Sequence, residues 1–144
     1  MIVREKISFI SCEYCNARVH SIFKDCGMEQ LDMLNHHKAC SMYKKGQYIF
    51  TENSFPLGIF CINKGKVKLA AAGLDGKEQI FRLYKEGDIL GYRALLSQER
   101  YQSSAIALED SSICFISKDV FLNLLDNNQS LGFKGIRLLS DHLK

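Results

Sequence analysis

From Cys40 to Ser117 the sequence is a succession of short apolar segments, and this run limits the possible folds more than any other feature. The segments are Tyr48-Ile-Phe50, Leu57-Gly-Ile-Phe-Cys-Ile62, Lys66-Val-Lys-Leu-Ala70, Gln79-Ile-Phe-Arg-Leu-Tyr84, Ser103-Ser-Ala-Ile-Ala-Leu108 and Ser112-Ile-Cys-Phe-Ile116. Gly46, Gly58, Gly65, Gly76, Gly87 and Gly91 punctuate them, and no helical period interrupts them. Closely spaced strands with turn signals predict an all-β sandwich or roll. At Gly73-Leu-Asp-Gly-Lys77 two alternating segments meet, and Asp75-Gly76 supplies the positive backbone angle of a hairpin turn.

Helices bracket the strands. Cys26 to Asn35 places Met28, Leu31 and Leu34 at spacings of three, and a second helix is expected from Ser117, whose hydroxyl can cap it, through Val120-Phe-Leu-Asn-Leu-Leu125. Asp126-Asn-Asn-Gln-Ser130 breaks it. From Leu131 to Lys144, Gly132, Ile136, Leu139 and Leu143 form a four-three-four stripe, the seam a helix presents to a partner helix. A homodimer is expected from that seam. The expected organisation is an N-terminal arm with helices over 1–35, a β-roll over 36–130, and the start of a dimerisation helix over 131–144.

With 144 residues and a 47% hydrophobic share, the chain has room for one domain with a real core. A net charge of +3 is too small for a nucleic-acid footprint, so any DNA contact is expected through a domain this chain lacks. Lys44-Lys45 and Lys64, Lys66 and Lys68 read as solvated strand faces. The start, Met1-Ile-Val-Arg-Glu-Lys-Ile, has no apolar stretch behind it, which argues against an export signal or membrane span and for the cytoplasm. There the six cysteines argue against a disulfide framework. No Ser/His/Asp or Cys/His arrangement, phosphate-binding glycine loop or paired carboxylates appear, so an enzyme is not expected. A metal-dependent enzyme of the cupin type would need histidines within the strands, and the four present lie elsewhere.

The strings Tyr43-Lys-Lys-Gly-Gln-Tyr-Ile-Phe50, Cys61-Ile-Asn-Lys-Gly-Lys-Val-Lys-Leu69, Asp75-Gly-Lys-Glu-Gln-Ile80 and Glu86-Gly-Asp-Ile-Leu-Gly-Tyr92 resemble the cyclic-nucleotide-binding-like domain of Crp/Fnr-type transcriptional regulators. The resemblance implies a mainly β fold, a double-stranded β-helix of jelly-roll type with short flanking helices. It also implies a dimer helix and a helix-turn-helix domain beyond it. The ligand positions it implies are Gly91, Tyr92, Arg93, Tyr101, Gln102 and Ser103. Members that bind cyclic nucleotides grip the ribose with a Gly-Glu pair and the cyclic phosphate with an Arg-Ser or Arg-Thr pair. Here Tyr92 stands at the glutamate position and Tyr101-Gln102-Ser103 carries no arginine, so cyclic AMP is not the expected effector. Arg93 or Arg100 could supply a substitute charge; alternatively these side chains simply fill and cap the roll.

The cysteines resemble those of the oxygen-sensing Fnr branch: Cys12-Glu-Tyr-Cys15, then Cys26, then Cys114 on a late strand. The resemblance implies an iron–sulfur cluster or zinc held by Cys12, Cys15, Cys26 and Cys114. His20 or Cys40 could enter that set. Two other readings stay open: a redox pair Cys12/Cys15, and packing roles, since Cys61 and Cys114 sit in apolar strand contexts. The function expected is a sensor responding to a small ligand or to redox state. The alternative is a stand-alone β-roll module binding a small molecule or protein without DNA.

Overall fold

The computed structural model describes residues 27–127. The arm with Cys12, Cys15, His20 and Cys26, and the seam at Gly132, Ile136, Leu139 and Leu143, lie outside the described residues.

Helix α1 (Met28–His37) follows Gly27, whose amide donates to Gln30 Oε1 at 3.2 Å. Glu29 in its first turn and His36 and His37 in its last complement the helix dipole. It runs to His37 rather than stopping at Asn35, and the next residue already begins β1 (Lys38–Tyr43). β1 escaped the sequence reading because Lys-Ala-Cys-Ser-Met-Tyr has no clean alternation. There follow β2 (Tyr48–Phe50), β3 (Gly58–Lys64), β4 (Lys66–Ala72), β5 (Glu78–Lys85), β6 (Ile89–Leu90), α2 (Tyr92–Ser97), β7 (Ser104–Ala107), β8 (Ser111–Ser117) and α3 (Lys118–Asn127). β6 and α2 are too short to write a period into the sequence.

The strands form two antiparallel sheets, ordered β1-β8-β3-β6 and β2-β7-β4-β5. This is the β-roll expected from the turn pattern. The β4–β5 hairpin closes on a loop in which Gly73 N–H donates to Lys77 O at 2.7 Å, with Gly76 at φ +78°. Lys68 pairs with Glu78 across it. Gly58 answers to a different need: a Cβ there would stand 2.1 Å from the Ile116 carbonyl oxygen, so β3 reaches β8 only without a side chain.

Residues three apart on a strand point to opposite faces, and the first sheet uses both. Ile62 and Ile113 face inward and meet Val67, Leu90, Ala105 and Ala107 between the sheets. Ile59 and Ile116 face outward, where Leu31 and Leu34 of α1 and Phe121 and Leu124 of α3 cover them. Burying each large apolar side chain stabilises the fold by about 1.5–3 kcal/mol. The buried hydroxyls are paired: Ser111 Oγ donates to Glu109 O at 2.8 Å, and Asn63 Nδ2 donates to Ser112 Oγ at 3.1 Å.

Candidate functional site

The short β6–α2 turn and the approach to β7 converge at one end of the roll. Gly91 links β6 to α2 with φ +83°, a conformation that favours glycine, and Tyr101 packs against it; a Cβ at Gly91 would meet the Tyr101 ring and hydroxyl at 3.3 Å. The segment before β7 is held by backbone pairing, with Tyr101 N–H donating to Ser54 O at 2.9 Å and Asn53 N–H to Tyr101 O at 2.8 Å. As a result Gly91, Tyr92, Arg93, Tyr101, Gln102 and Ser103 all line a single cavity. Arg100, weighed as a substitute charge, lines it too, and so do Leu69, Tyr84 and Glu99, which were not anticipated because folding brings β4, β5 and the turn after α2 near Gly91.

That cavity is small, 80 Å³, against the roughly 300–1,000 Å³ of ordinary ligand pockets. Phe50 stacks on Tyr101 with ring centroids 3.9 Å apart and planes 11° from parallel, so two aromatic rings stand against the space. Burial pushes the Tyr101 phenol up to about 12. Tyr84 is likewise raised to about 12 by burial, although the Arg82 guanidinium beside it works in the opposite direction. Both phenols are therefore neutral at physiological pH and offer hydrogen bonds without charge. Of the two candidate cations, Arg93 is exposed on α2, and Arg100 donates from Nη1 to Asn53 O at 3.1 Å while lying 4.0 Å over the Phe55 ring. Neither arginine takes the place of the Arg-Ser or Arg-Thr pair at Tyr101-Gln102-Ser103, since Arg93 precedes that string on α2 and Arg100 is engaged with Asn53 and Phe55.

On the far side of the Phe50–Tyr101 pair lies a larger open cavity of 830 Å³. Tyr43, Phe55, Phe60 and Phe115 contribute aromatic walls, and none of the described residues lining it is charged. Its walls are drawn from β1, β2, the β2–β3 loop, β3 and β8, so no local pattern announced it. The two cavities share the Phe50–Tyr101 partition.

Of the four proposed cysteine ligands, Cys114 alone is among the described residues. It is joined to Cys40 in a disulfide, which corrects the expectation that the cysteines form none. The physical reason is register: β1 and β8 pair with Cys40 directly opposite Cys114, 4.0 Å apart at Cα. Strand pairing brought together two thiols 74 residues apart, which spacing along the chain does not show. Cys114 is buried as expected, whereas Cys61 is only partly so. Among the described residues no group of three His, Cys, Asp or Glu is arranged to hold a metal ion. His36 and His37 sit exposed at the end of α1, with His36 Nδ1 2.8 Å from Asp32 O. No helix among the described residues is long and apolar enough to cross a membrane.

Comparison with known proteins agrees with this architecture. The family model described as the cyclic nucleotide-binding domain matches residues 41–128. The anaerobic regulatory protein of Bacillus subtilis is 30% identical over 102 residues, covering 70% of this chain and 43% of the relative. The cyclic AMP receptor protein of Thermus thermophilus is 25% identical over 104 residues, covering 72% and 48%. The chain thus spans about half the length of the curated relatives it matches. In fold it is similar to the sensor domain of the transcriptional regulator DNR from Pseudomonas aeruginosa, with a TM-score of 0.78 at 22% identity over 88% of this chain and 85% of that one.

Proposed function

Because the chain belongs to the cyclic nucleotide-binding domain family and its relatives are Crp/Fnr-family regulators, we propose that it is the sensor part of such a regulator, signalling to a DNA-binding domain beyond this chain. Those relatives are transcriptional regulators rather than enzymes, and the role of this chain is binding, not catalysis. The observation that carries the reading is the match over 41–128, which spans the roll from β1 to α3 and includes all six candidate ligand positions.

The effector is either a small molecule other than a cyclic nucleotide or the redox state itself. For the first, Tyr92, Tyr101, Gln102 and Ser103 offer neutral hydrogen-bonding groups, Gly91 makes the turn against which Tyr101 packs, and Arg93 reaches from the rim. For the second, Cys12, Cys15, Cys26 and Cys114 would hold an iron–sulfur cluster or zinc, which supplies a centre whose loss or oxidation changes the arm's attachment. Metal ligation requires thiolates, so Cys114 can take part only after the Cys40–Cys114 bond is reduced. Either signal would pass through the segment beginning at Leu131 to the DNA-binding domain.

Purification without oxygen under reducing conditions, with the visible spectrum and iron, sulfide and zinc measured per chain, tests the choice. A stoichiometric metal that disappears in Cys114→Ser supports the cysteine centre. A colourless, metal-free protein removes it and leaves the pocket around Tyr92 and Tyr101.

A further inference from the structure

Three cysteines from three strands stand in one row across the first sheet. Cys40 of β1 lies opposite Cys114 of β8, and Cys114 lies opposite Cys61 of β3. Residues directly opposite one another share a face, so the three side chains emerge on the same side of the sheet. Cys40 and Cys114 are bonded, and Cys61 stands outside that disulfide.

The backbone fixes the second spacing. Ile62 N–H donates to Asp88 O at 3.0 Å, and Ile62 O accepts from Gly87 N–H at 2.9 Å, so both polar groups of Ile62 turn toward β6. Those of the preceding residue turn the other way, toward β8, which makes Cys61 and Cys114 a hydrogen-bonded pair with Cα atoms about 5.5 Å apart. By the same alternation Cys40 and Cys114 are the closer, non-hydrogen-bonded kind, in keeping with their 4.0 Å. Disulfides usually span Cα separations of about 4.4–6.8 Å, most often near 5.5–6 Å, and the Cys40–Cys114 pair sits just below that range. Cys61 is therefore at bridging distance from Cys114.

We infer that Cys61, Cys114 and Cys40 form a thiol–disulfide exchange site in which Cys114 carries the shared sulfur. The Cys61 thiolate attacks Cys114 Sγ; the Cys61–Cys114 bond forms as the Cys40–Cys114 bond breaks, and Cys40 leaves as a thiolate that takes up the proton Cys61 gave. No electrons enter or leave. The register places Cys61 and Cys40 on opposite sides of Cys114, the side of approach that displacement at the Cys114 sulfur requires. Cys61 packs at the margin of the core under α1 and α3 and is not sealed within it.

The exchange moves a covalent staple from the β1–β8 pair to the β8–β3 pair. β1 is an edge strand whose sheet partner is β8, and α1 runs into it without a loop. Transfer to Cys61 releases the α1–β1 unit from its covalent tie while keeping Cys114 occupied. The inference does not rest on metal binding by Cys12, Cys15 and Cys26.

Disulfide mapping of the full 144-residue chain by mass spectrometry, after acid quench and alkylation, tests it. Oxidised Cys40→Ser should carry a Cys61–Cys114 link; Cys61 and Cys114 both recovered as alkylated thiols, or Cys114 linked to another cysteine, overturns the inference. The unsubstituted chain needs no variant to fold. Held without oxygen in a trace of glutathione, it should develop the Cys61–Cys114 peptide beside the Cys40–Cys114 one, about tenfold faster per pH unit between about pH 6 and 8. A Cys61→Ala control should lack that peptide. Persistence of the Cys40–Cys114 link alone at every pH refutes the exchange.

Discussion

Replacing Tyr101 with alanine tests whether the partition between the two cavities is a packed structural wall. The side chain is 5% exposed, stacked on Phe50 and set against Gly91. An aromatic residue buries on the order of 200 Å², which at about 25 cal/mol per Å² is roughly 5 kcal/mol. The retained methyl group and a compact unfolded state lower that figure, while the lost stack adds about 0.5–1.5 kcal/mol. The expected loss is about 3–4 kcal/mol, within the usual range for truncating a buried aromatic. That corresponds to a fall in Tm of roughly 10–15 °C for a domain of this size. The chain has no tryptophan, so far-UV circular dichroism is the natural probe of unfolding. Tyr101→Phe keeps the ring and should cost less than about 1.5 kcal/mol. A loss below about 1 kcal/mol for the alanine variant would refute the wall, because no packed, stacked tyrosine is removed so cheaply.

Cyclic AMP at about 1 mM should leave Tm unchanged, since a ligand stabilises only the state that binds it; a shift of several degrees would contradict the reading of the 80 Å³ cavity. Gly58→Ala should abolish soluble folded protein or lower Tm by more than 10 °C, because the new Cβ meets the Ile116 carbonyl in the β3–β8 ladder. Stability should fall between about pH 10 and 12: the Tyr84 and Tyr101 phenols bind their protons more tightly folded than unfolded, so their contribution is whole below pH 10 and lost above it. With an allowance for solvent screening the fall is about 1–2 kcal/mol for each, and urea titrations of Tyr101→Phe should show Tyr101's share gone. Full reduction should cost about 4 kcal/mol from the entropy of a loop spanning 74 residues, read as the difference in urea midpoint with and without reductant.

The roll was legible because its turns are written locally. Gly76 and Gly91 each occupy backbone conformations that glycine supplies, and the strands between such glycines are short. β1 was not legible, because its residues are ordered by β8 rather than by their own pattern. The six candidate ligand residues stood out through resemblance, and they do line one cavity, but its volume depends on how Phe50 lies against Tyr101. Nothing in the local sequence of either residue states that. The cysteines divide the same way. Cys12-Glu-Tyr-Cys15 declares itself by spacing, whereas the row Cys40, Cys114, Cys61 exists only in the register of three strands.

The place of β8 in the first sheet sets a timetable for synthesis. It is the last strand made among the described residues, yet it lies between β1 and β3, so β1 has no strand partner, and β3 has only β6, until Ser117 has left the ribosome. At about 5–20 residues per second, β1 waits roughly 4–15 s for the strand it will pair with. During that interval the second sheet can grow from its own β4–β5 hairpin, a local pairing, whereas β1–β8 closes a distant one. Nascent chains stopped before residue 111 should therefore hold the β4–β5 hairpin and at most the short β3–β6 pair of the first sheet, with β1 unpaired, and Ile59 and Leu34 would then be open to chaperones until β8 arrives.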